Sequence, residues 1–395
     1  MERSSGANHR IRAVRRRGEQ VTPLELFFDL VFVVAITQCT ALMSHEPTWT
    51  GVAQSMLVLG LLWWTWIGYA WLTSVVDPEE GGVRLAMFAA MAAVLVAALS
   101  VPHAFGDDAL TLAIAYGAVR AAHVALFVIA SYDAPLLRHS VAGFSGSTAL
   151  GIGLVLVGSF FEWPAQGIIW LVALAIDVGG PLFFWSEGWQ LVPGHFAERH
   201  GLIIIVALGE SIVALGVGAD GGLGGSEIVA AILGVALAAG MWWVYFDVSA
   251  ITSTRRLESL PPGREQNEYA RDCYSILHLP MVAGIVLIAF AMHDTLAHTD
   301  EPLAAVPAFG LAGGVAVYFL GHVAFRWRGF HTMKWMRFAT AAVALALLPV
   351  VHEVGALVSL AIMTAVVWAL IVYESIRYAE ARDEIRHNHA QGDHH

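Results

Sequence analysis

From residue 22 almost to its end, the chain alternates between long apolar runs and short polar joints. The runs cover roughly 22–44, 50–74, 83–103, 109–131, 139–161, 165–186, 197–217, 226–250, 271–293, 303–327, 332–351 and 353–375. Each is about 20 residues long, the length at which an α-helix crosses about 30 Å of hydrocarbon. Within a run the apolar positions are continuous and do not alternate, unlike the strands of a membrane barrel. The pattern predicts an all-α polytopic membrane protein of about twelve transmembrane helices.

Composition agrees, with 57% hydrophobic and 13% charged residues among 395 and a mean hydropathy of +0.66, more apolar surface than one water-soluble core could enclose. Charge then orients the spans. Of the 21 lysines and arginines, six precede the first run (Arg3, Arg10, Arg12, Arg15, Arg16 and Arg17) and all others except Arg120 fall in alternate joints or in the tail. The remaining joints contain none. By the positive-inside rule, both termini are expected on the cytoplasmic side of the cell (inner) membrane. The first run lacks a small-residue cleavage pattern and carries Asp29, so it is read as a retained span. The net charge of −11 is spread over joints and tail and predicts no nucleic-acid partner, and Cys39 and Cys273 suggest neither a disulfide framework nor a metal site.

The chain also looks doubled. WWTW at 63–66 is answered by WWVY at 242–245, and RAAHVALF at 120–127 by FLGHVAFR at 319–326. The first run, opening TPLELFFDLVF, then corresponds to the seventh, opening HFAERHGLIII. Six crossings per half give two parallel repeats related by a pseudo-twofold along the membrane normal. The expected organisation is an Arg-rich tail at 1–21, a first six-helix repeat at 22–190, a second at 195–375 and a His-containing tail at 376–395, with the polar stretch 252–270 as a long inner loop.

Charged groups inside spans are the candidates for chemistry, because each is costly in hydrocarbon unless paired or functional. Thr22, Pro23 and Glu25 have the form of a helix cap, which accounts for Glu25 at the membrane surface. Asp29 lies one turn deeper on the same face, where no cap needs it. It is either paired with an arginine at a neighbouring helix entrance, Arg84 or Arg199, or part of a path. Glu198 and Arg199 form the charged start of the seventh run. Deeper still are Arg120, His123, Asp177, Glu210 and His322, with Arg120 expected to pair with Asp177 or Glu210. His123 and His322 occupy matching repeat positions, which would suit a proton relay if they faced each other. His278 joins this polar-core set, although haem or metal ligation with His293 or His103 has little support in the predicted depths. No cofactor or metal is implied. The glycines at 221, 222, 224 and 225 follow no strand and imply no phosphate loop, and Asp107 and Asp108 do not form a metal–diphosphate pair.

Several long strings carry a resemblance: TPLELFFDLVFVVAITQ from Thr22, HFAERHGLIIIVALGESI from His195, MWWVYFD from Met241 and RDCYSILHLPMVAGIVL from Arg271. Together they resemble the bacterial low temperature requirement protein A family, whose members are polytopic membrane proteins named for a growth phenotype. ELFFDLVFVVAIT is also similar to the first-helix signature of endolysosomal and bacterial potassium channels with a Phe-Ser-Asp motif. That similarity would set Asp29 at the motif aspartate and point Val33 to Ile36 at a pore. The motif's arginine is replaced by Pro23 or Leu24 and its serine by Phe28, and the seventh run keeps no such motif.

The function expected from these readings is permeation of an ion or small solute, with the lipid bilayer as partner and a second copy of the chain as a further candidate partner. The rival readings are a membrane enzyme acting on a lipid or isoprenoid, with Glu210, His278 or His123 as acid or base, and a structural or sensory membrane protein.

Overall fold

The computed structural model describes residues 20–79, 81–183, 188–189, 191–218, 224–380 and 382. The six arginines of the N-terminal tail, Gly221 and Gly222, and the histidines of the C-terminal tail lie outside the described residues.

The described chain is helical and has no strand: α1 (Pro23–His45), α2 (Trp49–Val75), α3 (Gly81–Leu99), α4 (Ala109–Ala130), α5 (Pro135–Gly158), α6 (Ala165–Phe183), α7 (Pro193–Gly218), α8 (Gly225–Phe246), α9 (Ser249–Ser259), α10 (Arg264–Tyr269), α11 (His278–Ala297), α12 (Ala305–Phe330), α13 (Trp335–Ala346), α14 (Leu348–Glu353) and α15 (Ala356–Arg377). Twelve stretches of it are long and apolar enough to cross a membrane, and they follow the twelve apolar runs. The protein is a multi-pass membrane protein.

Local chemistry explains the helix ends. Thr22 caps α1, accepting from the Glu25 backbone while the Glu25 carboxylate accepts from the Thr22 backbone, and Pro23 occupies the first helical position, where its missing N–H costs nothing. Thr48 caps α2 in the same way through Gly51. Pro349 separates α13 from α14, since a proline cannot donate to the preceding turn.

The polar stretch 252–270 is not a loop. It folds into α9, α10 and a single π turn at Ala270–Ile276 that leads into α11. Its polarity concealed an amphipathic element: Ser249, Ser253 and Leu257 form the buried face of α9, and Gln266 returns to the carbonyls of Leu257 and Leu260.

Within the first half, α1 packs on α2 and α3, α3 on α4, α4 on α5, α5 on α6, and α6 back on α2. Within the second, α7 packs on α8 and α11, α11 on α12, α12 on α13, α14 on α15, and α15 back on α8. The halves meet where α1 and α2 pack against α7 and α11. The most enclosed spans are α2, α11 and α12, whereas α5, α6 and α13 turn residues such as Leu150, Ile168, Leu171 and Phe338 outward to lipid. Between α11 and α12 the backbones nearly touch. A Cβ at Gly284 would lie 2.6 Å from the Gly314 carbonyl, so only glycine permits that approach.

Candidate functional site

The seam between α1 and α7 is built from two helices that carry complementary charge at the same spacing. On α1, Glu25 and Asp29 stand four residues apart; on α7, His195 and Arg199 do as well, and four-residue steps share one helical face. Glu25 Oε1 lies 2.9 Å from His195 Nε2, and Asp29 is bonded to Arg199, with the same separation of 170 residues in both pairs. Two contacts advancing together along both chains require α1 and α7 to run parallel.

Asp29 is held from a second side by Trp66 Nε1, which donates to Oδ1 at 2.8 Å, while Oδ2 has no hydrogen-bond partner among the described residues. Arg199 also donates to the Thr73 hydroxyl at 2.9 Å, reaches Glu25 Oε1 at 3.5 Å, and lies over the Trp66 ring. Glu25, Asp29, His195 and Arg199 are all buried. Of the two arginines considered as partner for Asp29, Arg199 is therefore the one; Arg84 is exposed and donates to the Glu79 carbonyl. Glu198 remains at the surface, accepting from the Val21 backbone at 3.2 Å.

Eleven residues beyond Arg199, or about 16 Å along the axis, α7 presents Glu210. The Thr37 hydroxyl of α1 donates to it, and the Thr40 hydroxyl also faces it. Between the two polar levels lies an apolar gap of about 10 Å³ walled by Phe32, Ala35, Ile36, Trp63, Trp66 and Ile203, among others. The seam thus reads, from the end at which α1 begins, as an ion-pair knot, an apolar gap and a lone carboxylate.

That carboxylate differs from the rest. The fold fully buries Glu25, Asp29, Asp177 and Glu210. Three are paired with arginine or histidine, whereas among the described residues Glu210 bonds to hydroxyls, has the Cys39 thiol nearby and forms no ion pair. A buried carboxylate without a counter-charge either keeps its proton or meets a cation from outside the fold.

Arg120, the other deep arginine, pairs with Asp177 at 2.7 Å and not with Glu210. Asp177 also accepts from Thr148 at 2.7 Å and from the Tyr116 hydroxyl at 3.1 Å, so its oxygens are satisfied by α4 and α5 alone. Gly68 makes room for this group: a Cβ there would stand 2.9 Å from both Arg120 and His123. A cavity of about 50 Å³ lies beside it, lined by His123 and by the rings of Trp64, Trp71, Phe127, Phe144 and Trp189.

His123 and His322 do not face each other. His123 packs with Tyr69, Phe127 and Phe144, and His322 with Tyr245, Tyr318 and Arg337, so each belongs to its own half of the bundle. His278 is instead enclosed near the seam. Its Nδ1 donates to the Cys273 carbonyl at 2.9 Å, which leaves Nε2 to accept from the Tyr245 hydroxyl at 2.9 Å. Its ring also contacts His200, whose ring packs edge-on against Trp66. This places His278 two rings from Asp29.

Sequence reasoning overlooked His195, His200, Thr37 and Trp66. A signal for His195 was available: the four-residue step to Arg199 repeats that of Glu25 to Asp29. Thr37 is an ordinary threonine in an apolar run and nothing local distinguishes it.

The bacterial low temperature requirement A protein family matches residues 20–372. An uncharacterized protein of Rhizobium meliloti (strain 1021) is 26% identical over 379 residues, covering 90% of each chain. No solved structure matches. The chain belongs to the bacterial low temperature requirement A protein family.

Proposed function

We propose that the protein is an ion or small-solute permeation protein of the cell membrane, built from two parallel six-helix repeats, with the α1–α7 seam as its path. The observation that carries this reading is Glu210, a buried carboxylate beyond the middle of a membrane span with hydroxyls and, among the described residues, no counter-charge beside it. Protein oxygens facing a carboxylate in a low-dielectric interior make a site for a proton or a small monovalent cation, not for an anion. Glu25, Asp29, His195 and Arg199 form the entrance to the seam, and the apolar gap at Phe32 and Ile203 is its constriction.

Two observations support the doubled arrangement. The helix neighbours of the first half recur in the second, from the α1–α3 contact answered by α7–α11 to the α2–α6 contact answered by α8–α15. Thr37 and Glu210 stand 173 residues apart, the separation at which TPLELFFDLVF lines up with HFAERHGLIII, so equivalent positions touch at the seam. The arginine distribution supports a cytoplasmic entrance at the end where α1 begins.

The test is flux through the purified protein in liposomes under an imposed voltage, scanning protons, sodium and potassium. A cation flux abolished by Glu210→Gln in a protein that unfolds at the wild-type temperature is the expected result. Equal flux in wild type and Glu210→Gln would remove Glu210 from the path, and no flux of any ion would return the weight to the enzyme and sensory readings.

A further inference from the structure

A second polar cavity, of about 140 Å³, opens at the end of the bundle where α1 begins, enclosed by the last turns of α8, α12 and α15 and the start of α13. Its charged lining consists of four cations, Arg326, Lys334, Arg337 and Arg382, and two anions, Asp247 and Glu374. The anions are already engaged. Arg337 forms a fork with Glu374, Nε to Oε1 at 3.1 Å and Nη2 to Oε2 at 3.0 Å, and Arg382 pairs with Asp247 at 2.5 Å.

Arg326 and Lys334 remain in excess. Among the described residues neither has a carboxylate partner. Arg326 reaches only the Thr252 hydroxyl, at 3.3 Å, its buried Nε has no partner, and its guanidinium lies over Phe330. Lys334 lies over the Tyr378 ring. Burial, followed by the nearby Arg326 and Arg337, holds the Lys334 ammonium below the ordinary lysine value against the pull of Glu374. With Glu374 already paired to Arg337 and shared between them, the two extra cations facing one cavity repel each other, and a bound oxyanion would relieve that repulsion. The hydroxyls of Ser249 and Thr252 line the same space, but each already donates to a backbone carbonyl, Val244 and Val248 respectively, so the charge excess rests on the two cations.

We propose that this cavity binds a phosphate-type oxyanion, held by Arg326 and Lys334. Its depth favours the phosphate of a phospholipid headgroup, because Trp242, Trp327 and Trp335 are exposed at the same end, as aromatic residues are at a membrane–water interface. Free phosphate offers the same chemistry and is the other source. The site is separate from the α1–α7 seam and does not depend on what passes through it.

The experiment uses the full chain, purified in detergent. One arm adds vesicles of phosphatidylglycerol or phosphatidylcholine and counts retained lipids by native mass spectrometry; the other titrates inorganic phosphate and reads the unfolding temperature. Wild type is expected to retain a phospholipid, or to be stabilised by phosphate, and Lys334→Gln with Arg326→Gln to weaken that binding by about tenfold per cation removed. Arg264→Gln, at an exposed surface ion pair, is expected to change nothing. Lipid retention without a phosphate effect assigns the site to the headgroup, and the reverse assigns it to free phosphate. Equal binding in wild type and variant, or none in either arm, overturns the proposal. If the double variant does not fold, Lys334→Gln alone decides it, because among the described residues that side chain forms no hydrogen bond or ion pair and lies over the Tyr378 ring.

Discussion

The Arg120–Asp177 group and the Glu210 group are both polar chemistry deep in a span, and the fold treats them in opposite ways. Asp177 receives an arginine, a threonine and a tyrosine, a complete set of donors supplied within the first half. Glu210 receives hydroxyls across the seam between α1 and α7 and, among the described residues, no cation. A satisfied buried pair fixes helix packing and has no reason to move. A buried carboxylate with no ion-pair partner among the described residues is retained at a cost in stability. The comparison teaches that ionisable residues in a membrane bundle are sorted by their partners more than by their depth.

The comparison can be broken most forcefully at Arg120. Arg120→Gln leaves Asp177 charged and buried, and a loss of about 3 to 5 kcal/mol is expected, read as a large fall in unfolding temperature. Replacing both partners, Arg120→Met with Asp177→Leu, should recover most of that loss and keep the flux; a folded double variant without flux would make this pair functional as well. At the seam entrance, Asp29→Asn keeps the Trp66 bond and leaves Arg199 with Glu25 and Thr73. It should cost about 1.5 to 3 kcal/mol by thermal denaturation, with a reduced flux. Thr37→Val removes a hydroxyl from Glu210 and should cost about 1 kcal/mol, with a several-fold change in flux that distinguishes the seam from the Asp177 group. The smallest stability change, under about 1 kcal/mol, belongs to Glu210→Gln, which preserves shape and hydrogen bonding; in the same protein flux should vanish. A large destabilisation there would mean that Glu210 is a structural residue like Asp177.

Much of this molecule can be read without its coordinates. The twelve spans follow from apolar length, since nothing shorter covers the hydrocarbon and no charged run survives within it. Arg199 was one of two arginines foreseen for Asp29, and Asp177 one of two acids foreseen for Arg120. In each case the sequence supplied the cost of a lone charge but not its address. His123 and His322 show where matching strings mislead: they suggested that the two could face each other, whereas each packs in its own cluster of rings. The helical elbow at 249–276 escaped because its helices are too polar for a span and too short for a strong period.

What the sequence by itself determined is a helical multi-pass membrane protein with a capped first helix, unusual charges within its spans and a family. Those properties are local: they depend on run length, on neighbours within a few residues and on long matching strings. Only the tertiary structure decided that α1 and α7 run side by side, that among the described residues Glu210 has no counter-charge while Asp177 has one, and that Arg326 and Lys334 share a cavity. These are contacts between residues tens to hundreds of positions apart, and they are fixed by how helix surfaces pack against one another, which no single helix records.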